Sequence, residues 1–252
     1  MFFQLFHGSN KLNRYIINED WSAVTTHIES HPRDAKVWTT RIGFFDGEND
    51  SHVLPLHQAC ALHAPRDTLD ALILAYPQAT QSRETSFRRL PIHISCQNGA
   101  TSDVIELLLS YYPEGAHAQD TLGRYPIHYA CSNGASLSVV DALLAAHPRS
   151  AAHADIHGWL PIHVACHMGA RTEVIQRLFN AYPNAVDKMT DRGSTPLKLT
   201  NKINCRNKEE IVKILDKTTI GQWKQPTTTN IQLYNGSYAE SNLRQRPFNH
   251  AA

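Results

Sequence analysis

Leu90-Pro91-Ile92-His93-Ile94-Ser95-Cys96 is not a unique stretch of this chain. It stands as Leu54-Pro55-Leu56-His57-Gln58-Ala59-Cys60 before that point. It stands as Tyr125-Pro126-Ile127-His128-Tyr129-Ala130-Cys131 and Leu160-Pro161-Ile162-His163-Val164-Ala165-Cys166 after it, and in worn form as Thr195-Pro196-Leu197-Lys198-Leu199-Thr200. The prolines at 55, 91, 126, 161 and 196 are spaced by 36, 35, 35 and 35 residues. A second ladder runs in phase with the first: His31-Pro32, Tyr76-Pro77, Tyr112-Pro113, His147-Pro148 and Tyr182-Pro183. The two ladders hold ten of the thirteen prolines, so the period is a structural repeat.

Each unit reads as two helices. Proline at a first helical position loses no hydrogen bond and presets φ, so Pro91 opens a short helix. Ile92, Ser95 and Cys96 share one face of it. Asn98-Gly99, Asn133-Gly134 and Met168-Gly169 close these helices, because glycine accepts the left-handed conformation. A second helix follows, carried by Val104, Ile105, Leu107, Leu108 and Leu109. Its counterparts are Val139, Val140, Leu143 and Leu144, then Val174, Ile175, Leu178 and Phe179. Tyr-Pro or His-Pro breaks it, since an interior proline clashes with the preceding turn. One such pair cannot bury its apolar seam, but stacked copies can.

Asp120-Thr121-Leu122-Gly123-Arg124-Tyr125-Pro126-Ile127-His128-Tyr129-Ala130 resembles the opening of an ankyrin repeat, Asp-x-x-Gly-x-Thr-Pro-Leu-His-x-Ala. Asp155 to Ala165 resembles it equally. The resemblance covers about residues 54 to 216 and implies an all-α, ankyrin-type helix-pair solenoid with short connecting loops. It also implies binding of another protein through a concave face. Three features depart from the family. Leucine or tyrosine replaces the threonine before proline in the four best units, so the family's Thr–His bond lacks its threonine there. The period is 35 rather than about 33, with the surplus at the Tyr-Pro break. The loop Val37 to Val53 is longer than its peers.

The expected organisation is a divergent N-terminal capping repeat with that long loop at 1–53, and four repeats at 54–194. A capping repeat at 195–216 and a disordered tail at 217–252 complete it. Glu19 to Ala35 reads as the second helix of the first unit. The tail is polar, with Trp223, Tyr234, Tyr238 and Phe248 as possible docking aromatics.

Formal net charge is +1, which gives no reason to expect a nucleic-acid partner. No run approaches the roughly 18 apolar residues of a membrane span. Met1-Phe2-Phe3-Gln4-Leu5-Phe6 lacks a basic leader and a cleavage site, so a cytoplasmic location is expected, with a nuclear one as the alternative. The five cysteines are then expected to be reduced. A monomer is expected.

His-x-x-Cys occurs four times, at His57/Cys60, His93/Cys96, His128/Cys131 and His163/Cys166. A zinc reading is set aside, because each unit offers two ligands and neighbouring units stack roughly 8–10 Å apart. Each cysteine reads as a small buried hydrophobe and each histidine as a tie within its own turn. Cys205 is out of register. No phosphate loop, nucleophile elbow or His-Glu-x-x-His stands in the chain, so no cofactor, no metal and no catalytic residue are expected. The alternative to a non-catalytic adaptor is a regulatory or targeting subunit of an enzyme complex.

The binding positions follow from the resemblance: loop tips and the open side of the first helices. These are Phe87, Arg89 and Asn98, then Arg124 and Asn133, then His157, Trp159, His167 and Met168. They vary between copies while the core positions repeat. Trp159 is the leading hot-spot candidate. Arg88, Arg89 and Arg124 point to an acidic segment in the partner.

Overall fold

A computed structural model describes residues 10–44 and 50–216. The expected tail at 217–252 lies outside the described residues, as do 1–9 and 45–49. The architecture is an all-α stack of helix pairs. The first helices are α1 (Lys11–Ile17), α3 (Pro55–Ala61), α5 (Pro91–Gln97), α7 (Pro126–Ser132), α9 (Pro161–Met168) and α11 (Pro196–Lys202). The second helices are α2 (Trp21–Ser30), α4 (Arg66–Ala75), α6 (Ser102–Tyr111), α8 (Leu137–Ala146), α10 (Thr172–Ala181) and α12 (Lys208–Leu215). First helices pack on first helices and second on second, unit after unit.

The proline of the first ladder occupies the first helical turn of every helix from α3 to α11 along the inner row. These helices are short, and an isolated helix of seven residues is not stable in water. Packing makes them: in α5 every residue from Pro91 to Cys96 is buried, including His93 and Ile94 at 0% exposure. A one-sided amphipathic helix was the expectation from sequence. The difference arises because each first helix from α3 to α9 is enclosed by two neighbours and its own second helix. The second helices are amphipathic, with Val104, Ile105, Leu107, Leu108 and Leu109 all buried in α6.

The second ladder does more than stop a helix. At each site the chain tightens into a five-residue 3-10 turn: Pro32–Lys36, Pro77–Gln81, Pro113–His117, Pro148–Ala152 and Pro183–Asp187. The residue before each proline is extended, as the proline ring requires, with Tyr112 at φ −146°. The Gly115 N–H then donates to the Tyr112 carbonyl at 3.1 Å, closing an i→i+3 ring. These turns hold the surplus of the 35-residue period.

The long loop is also structured. β1 (Thr39–Ile42) pairs antiparallel with β2 (Asp50–Val53), Thr39 opposite Val53. The hairpin is fastened to the next unit: Ser51 Oγ donates to Glu84 Oε2 at 2.8 Å, and the His52 N–H donates to Thr85 Oγ1 at 2.9 Å.

Two glycines test how tightly the loop tips meet. Gly158 has φ +75°, and a Cβ there would lie 3.1 Å from the backbone nitrogen of Asp191 and 3.2 Å from the Thr190 Cα. Gly134 has φ +66° and nothing within 4 Å. Both substitutions to alanine incur the left-handed penalty of about 1–2 kcal/mol. Only Gly158→Ala must also displace backbone of the next unit. Urea melts should therefore show Gly158→Ala losing at least about twice as much stability as Gly134→Ala. Equal losses would mean that the loop tips have room to separate.

Candidate partner-binding face

Successive loop tips are joined backbone to backbone. The N–H of Thr121 donates to the Phe87 carbonyl at 2.9 Å, Ile156 to Leu122 at 3.1 Å, and Asp191 to His157 at 3.1 Å. Within each tip one acidic residue closes the turn. Asp120 Oδ1 accepts from the N–H groups of Leu122 and Arg124, both at 2.9 Å. Asp155 Oδ1 accepts likewise from His157 and Trp159. Glu84 takes this role in the preceding tip, accepting from Ser86, Phe87 and Arg89.

The other carboxylate oxygen faces back along the stack. Asp120 Oδ2 accepts from Arg89 Nε at 3.4 Å and from the Tyr129 hydroxyl at 2.5 Å. Asp155 Oδ2 accepts from Arg124 Nε at 3.0 Å. Burial alone would raise the Asp155 pKa, but the donors from Trp159, His157 and Arg124 outweigh it and hold the carboxyl below its ordinary range.

Each motif histidine ties the start of its unit to the loop that closes it. The backbone N–H of Leu54, Leu90, Tyr125 and Leu160 donates to Nδ1 of His57, His93, His128 and His163, at 3.1–3.2 Å. Their Nε2–H groups donate to the carbonyls of Ser82, Ala118, Trp159 and Lys188. The tie within the turn is thus accompanied by a tie to the returning loop. Threonine is not needed for this, since it is the histidine ring that caps the N-terminal N–H. At the last copy the reciprocal half survives: Thr195 Oγ1 accepts from the Lys198 N–H at 3.3 Å, and no histidine is present. Burial pushes the pKa of His57, His93 and His128 down to about 4. Cys60, Cys96, Cys131 and Cys166 are buried free thiols. Desolvation raises them all, Cys60 and Cys166 to about 12. Among the described residues no group of three or more His, Cys, Asp or Glu side chains is placed to hold a metal.

Against this frame the sequence-derived positions divide. His157, Asn133, His167 and Met168 are exposed, Met168 at 53%. Phe87, Asn98, Arg124 and Trp159 are half-buried. Trp159 packs edge-on against His167, with ring centroids 5.5 Å apart. Arg89 is corrected: it is 6% exposed, with its guanidinium between the Phe87 and Tyr129 rings and bonded to Gln97 and Asp120. Its carboxylate partner comes from the next unit, so it lies inside a joint instead of on the face. The positive bias read from this face is reduced with it, because Arg89 and Arg124 both pair with aspartates of this chain, while Arg88 stays exposed. Sequence reading passed over Ile156, exposed at 57% on its loop tip. The available signal was an isoleucine where the neighbouring tips carry Thr121 and Asp191.

A family model described as ankyrin repeats (3 copies) matches residues 56–151 and 92–191, which together span more than half of the chain. No curated protein matches the chain.

Proposed function

Because this chain belongs to the ankyrin-repeat family, whose repeats are in general protein–protein interaction modules, we propose that it is a non-catalytic adaptor or scaffold. Its partner protein docks on the face made by the loop tips and the C-terminal ends of the first helices. The observation that carries this reading is the pair of exposed apolar side chains that the stretch from Asp155 to Gly169 places on that face. Ile156 is 57% exposed and Met168 53%, beside half-buried Trp159 and Leu122. Ile156 and Met168 are both more than half exposed, whereas Arg124, Asp120 and Asp155 of the loop tips are engaged across joints. Large apolar and aromatic side chains are the types that anchor interfaces. The partner is expected to offer apolar side chains to this patch, with Arg88 and Arg192 exposed on the neighbouring tips for any acidic segment it carries. His157, His167 and Asn133 form the polar rim, with Phe87 and Asn98 further along. Among the described residues no helix is long and apolar enough to cross a membrane. Free thiols throughout the stack support a cytoplasmic or nuclear site of action.

The test compares three folded proteins in capture from native lysate: wild type, the double variant Ile156→Asp/Met168→Asp, and Leu74→Asp. Leu74 is 64% exposed on α4, away from the loop tips. Wild type and Leu74→Asp should retain the same protein, and the double variant should lose it at least about tenfold. Retention by all three would move the binding site off this face.

A further inference from the structure

Loop tips that share a geometry share its demands on the backbone, so a residue kept against them is there for another reason. The carbonyls of Phe87, Leu122 and His157 each accept from the next tip, which fixes the register between tips. The slot after them is a left-handed glycine at Gly123 and Gly158, φ +70° and +75°, and so is the matching Gly193. In the 84–89 tip that slot holds Arg88, at φ +58°, where a side chain is strained. The slot is also tight: a Cβ at Gly123 would lie 3.2 Å from the Ile156 side chain of the next tip. Arg88 is exposed and enters no ion pair among the described residues.

Arg83 is the second departure, standing where the later units carry Gln119, Ala154 and Met189. One terminal nitrogen of its guanidinium donates to the Arg88 carbonyl at 2.7 Å and to the Gln119 carbonyl of the next unit at 2.6 Å. The backbone of one cation thus seats the head of the other. Burial lowers the Arg83 pKa, and the Arg88 charge lowers it further, against smaller opposing effects of Tyr112 and Asp120. The nearby carboxylates are engaged elsewhere: Asp120 Oδ2 by Arg89 and Tyr129, and Glu84 by Ser51 and the N–H groups of Ser86, Phe87 and Arg89. Two guanidiniums so placed repel each other, and an oxyanion between them removes the repulsion. A dianion does so more completely than a carboxylate. A phosphate monoester carries about −1.5 to −2 charge near pH 7 and three acceptor oxygens, which suit guanidinium donors. Arg88 stands at the end of an open loop tip, within reach of a group carried on another chain.

We propose that Arg83 and Arg88 together receive a phosphate monoester, carried by a phosphorylated serine or threonine of the partner protein. For the carrier of the phosphate this rests on the adaptor reading; the site itself lies two tips before Ile156 and is tested by other variants.

The probe is a capped pentapeptide of alanines around one phosphoserine, titrated into the full chain at low salt and followed by NMR. It should give saturable shifts at residues 83–89 and 119–121. The aspartate form of the peptide should bind at least about tenfold more weakly. Arg88→Gly installs the sister residue, so the variant folds. It should melt no lower than wild type and bind the phosphopeptide about tenfold more weakly. Arg192→Gln, at an exposed arginine of another tip, should bind as wild type does. In capture from native lysate, phosphatase treatment should release the partner, and Arg88→Gly should match that loss. The proposal is overturned by a phosphopeptide that fails to saturate, by an aspartate peptide that binds equally, or by equal losses in Arg88→Gly and Arg192→Gln. A partner retained in full after phosphatase treatment overturns the protein as carrier of the phosphate. Peptide binding with no protein captured by wild type upholds the site and counts against the adaptor reading.

Discussion

Acidification from pH 7 to pH 5 should cost this protein a large share of its stability, before most carboxylates protonate. Three buried imidazoles, His57, His93 and His128, have folded-state pKa values near 4, against 6.5 in an unfolded chain. The hydrogen bonds explain the direction. Nδ1 accepts a backbone N–H and Nε2–H donates to a carbonyl, so each ring is fixed as one neutral tautomer. A second proton on Nδ1 would face a donor with no water to replace it. Between pH 6.5 and 4 the unfolded chain therefore binds protons that the folded chain refuses. Stability is level above pH 6.5, falls as pH drops through that window, and levels off again below about 4. Each histidine contributes up to about 1.4 kcal/mol per pH unit within the window, so the three together approach about 4 kcal/mol per unit. By pH 5 the loss reaches about 6 kcal/mol, and across the whole window about 10 kcal/mol, against a typical stability of about 5–15 kcal/mol. His163 is shifted in the same direction and adds to the slope. Urea midpoints at pH 7.5, 6.0 and 5.0 measure the effect. A midpoint that holds steady from 7.5 to 5.0 would mean that the rings accept protons in place, and that the joints open to water.

The second large effect is expected at Asp120. It is 7% exposed, closes its own loop through two N–H groups, and receives Arg89 and Tyr129 from the joint. Asp120→Ala removes all four bonds at once and leaves a buried guanidinium without its carboxylate. Breaking one side of a buried pair costs about 3–5 kcal/mol. The exposed pair Arg177–Asp141 provides the comparison. Its N–O distance is shorter, 2.6 Å, but the side chains are 37% and 48% exposed. Asp141→Ala should cost under about 1 kcal/mol, because water screens the charges and replaces the bonds. Burial, not distance, sets the order. Chemical denaturation of the two variants would refute this if their losses came out alike. Adding Arg89→Leu to Asp120→Ala should recover part of the loss, since the stranded charge goes with it.

The helix pairs were legible because proline and glycine act locally. Pro91 needs no partner to open a helix, and the apolar spacing in α6 states which side is covered. The binding face was legible only in part, and Arg89 shows why. Its neighbours in sequence say nothing about Asp120, which lies 31 residues on, and it is Asp120 that draws the guanidinium inside. The hairpin was hidden for a similar reason. Thr39–Ile42 and Asp50–Val53 are four-residue strands without a decisive alternation, and their fastening comes from Glu84 and Thr85 in the next unit. The 3-10 turns were hidden because Tyr-Pro announces the end of one helix and is silent about the geometry that follows. Cysteine and histidine were read correctly as interior residues, since a residue that recurs once per unit is governed by the packing that recurs with it.

The joints are not equal, and their inequality gives the stack a direction. From the 54–89 unit onward each of four units has a histidine tie to its returning loop, and two crossings between units also have an arginine–aspartate pair. At the last crossing Trp159 stands where those arginines stand, Thr190 where the aspartates do, and Lys198 where a further histidine would be. Of the seams from the 54–89 unit onward, one without an arginine–aspartate pair is therefore near the carboxyl extremity. Thermal opening is expected to begin there and run towards the centre, as in a zipper with its slider at the carboxyl end of the described residues. A partner that grips the Trp159 and Met168 region would hold that slider shut, and binding would be felt as a stiffening of the units it does not touch.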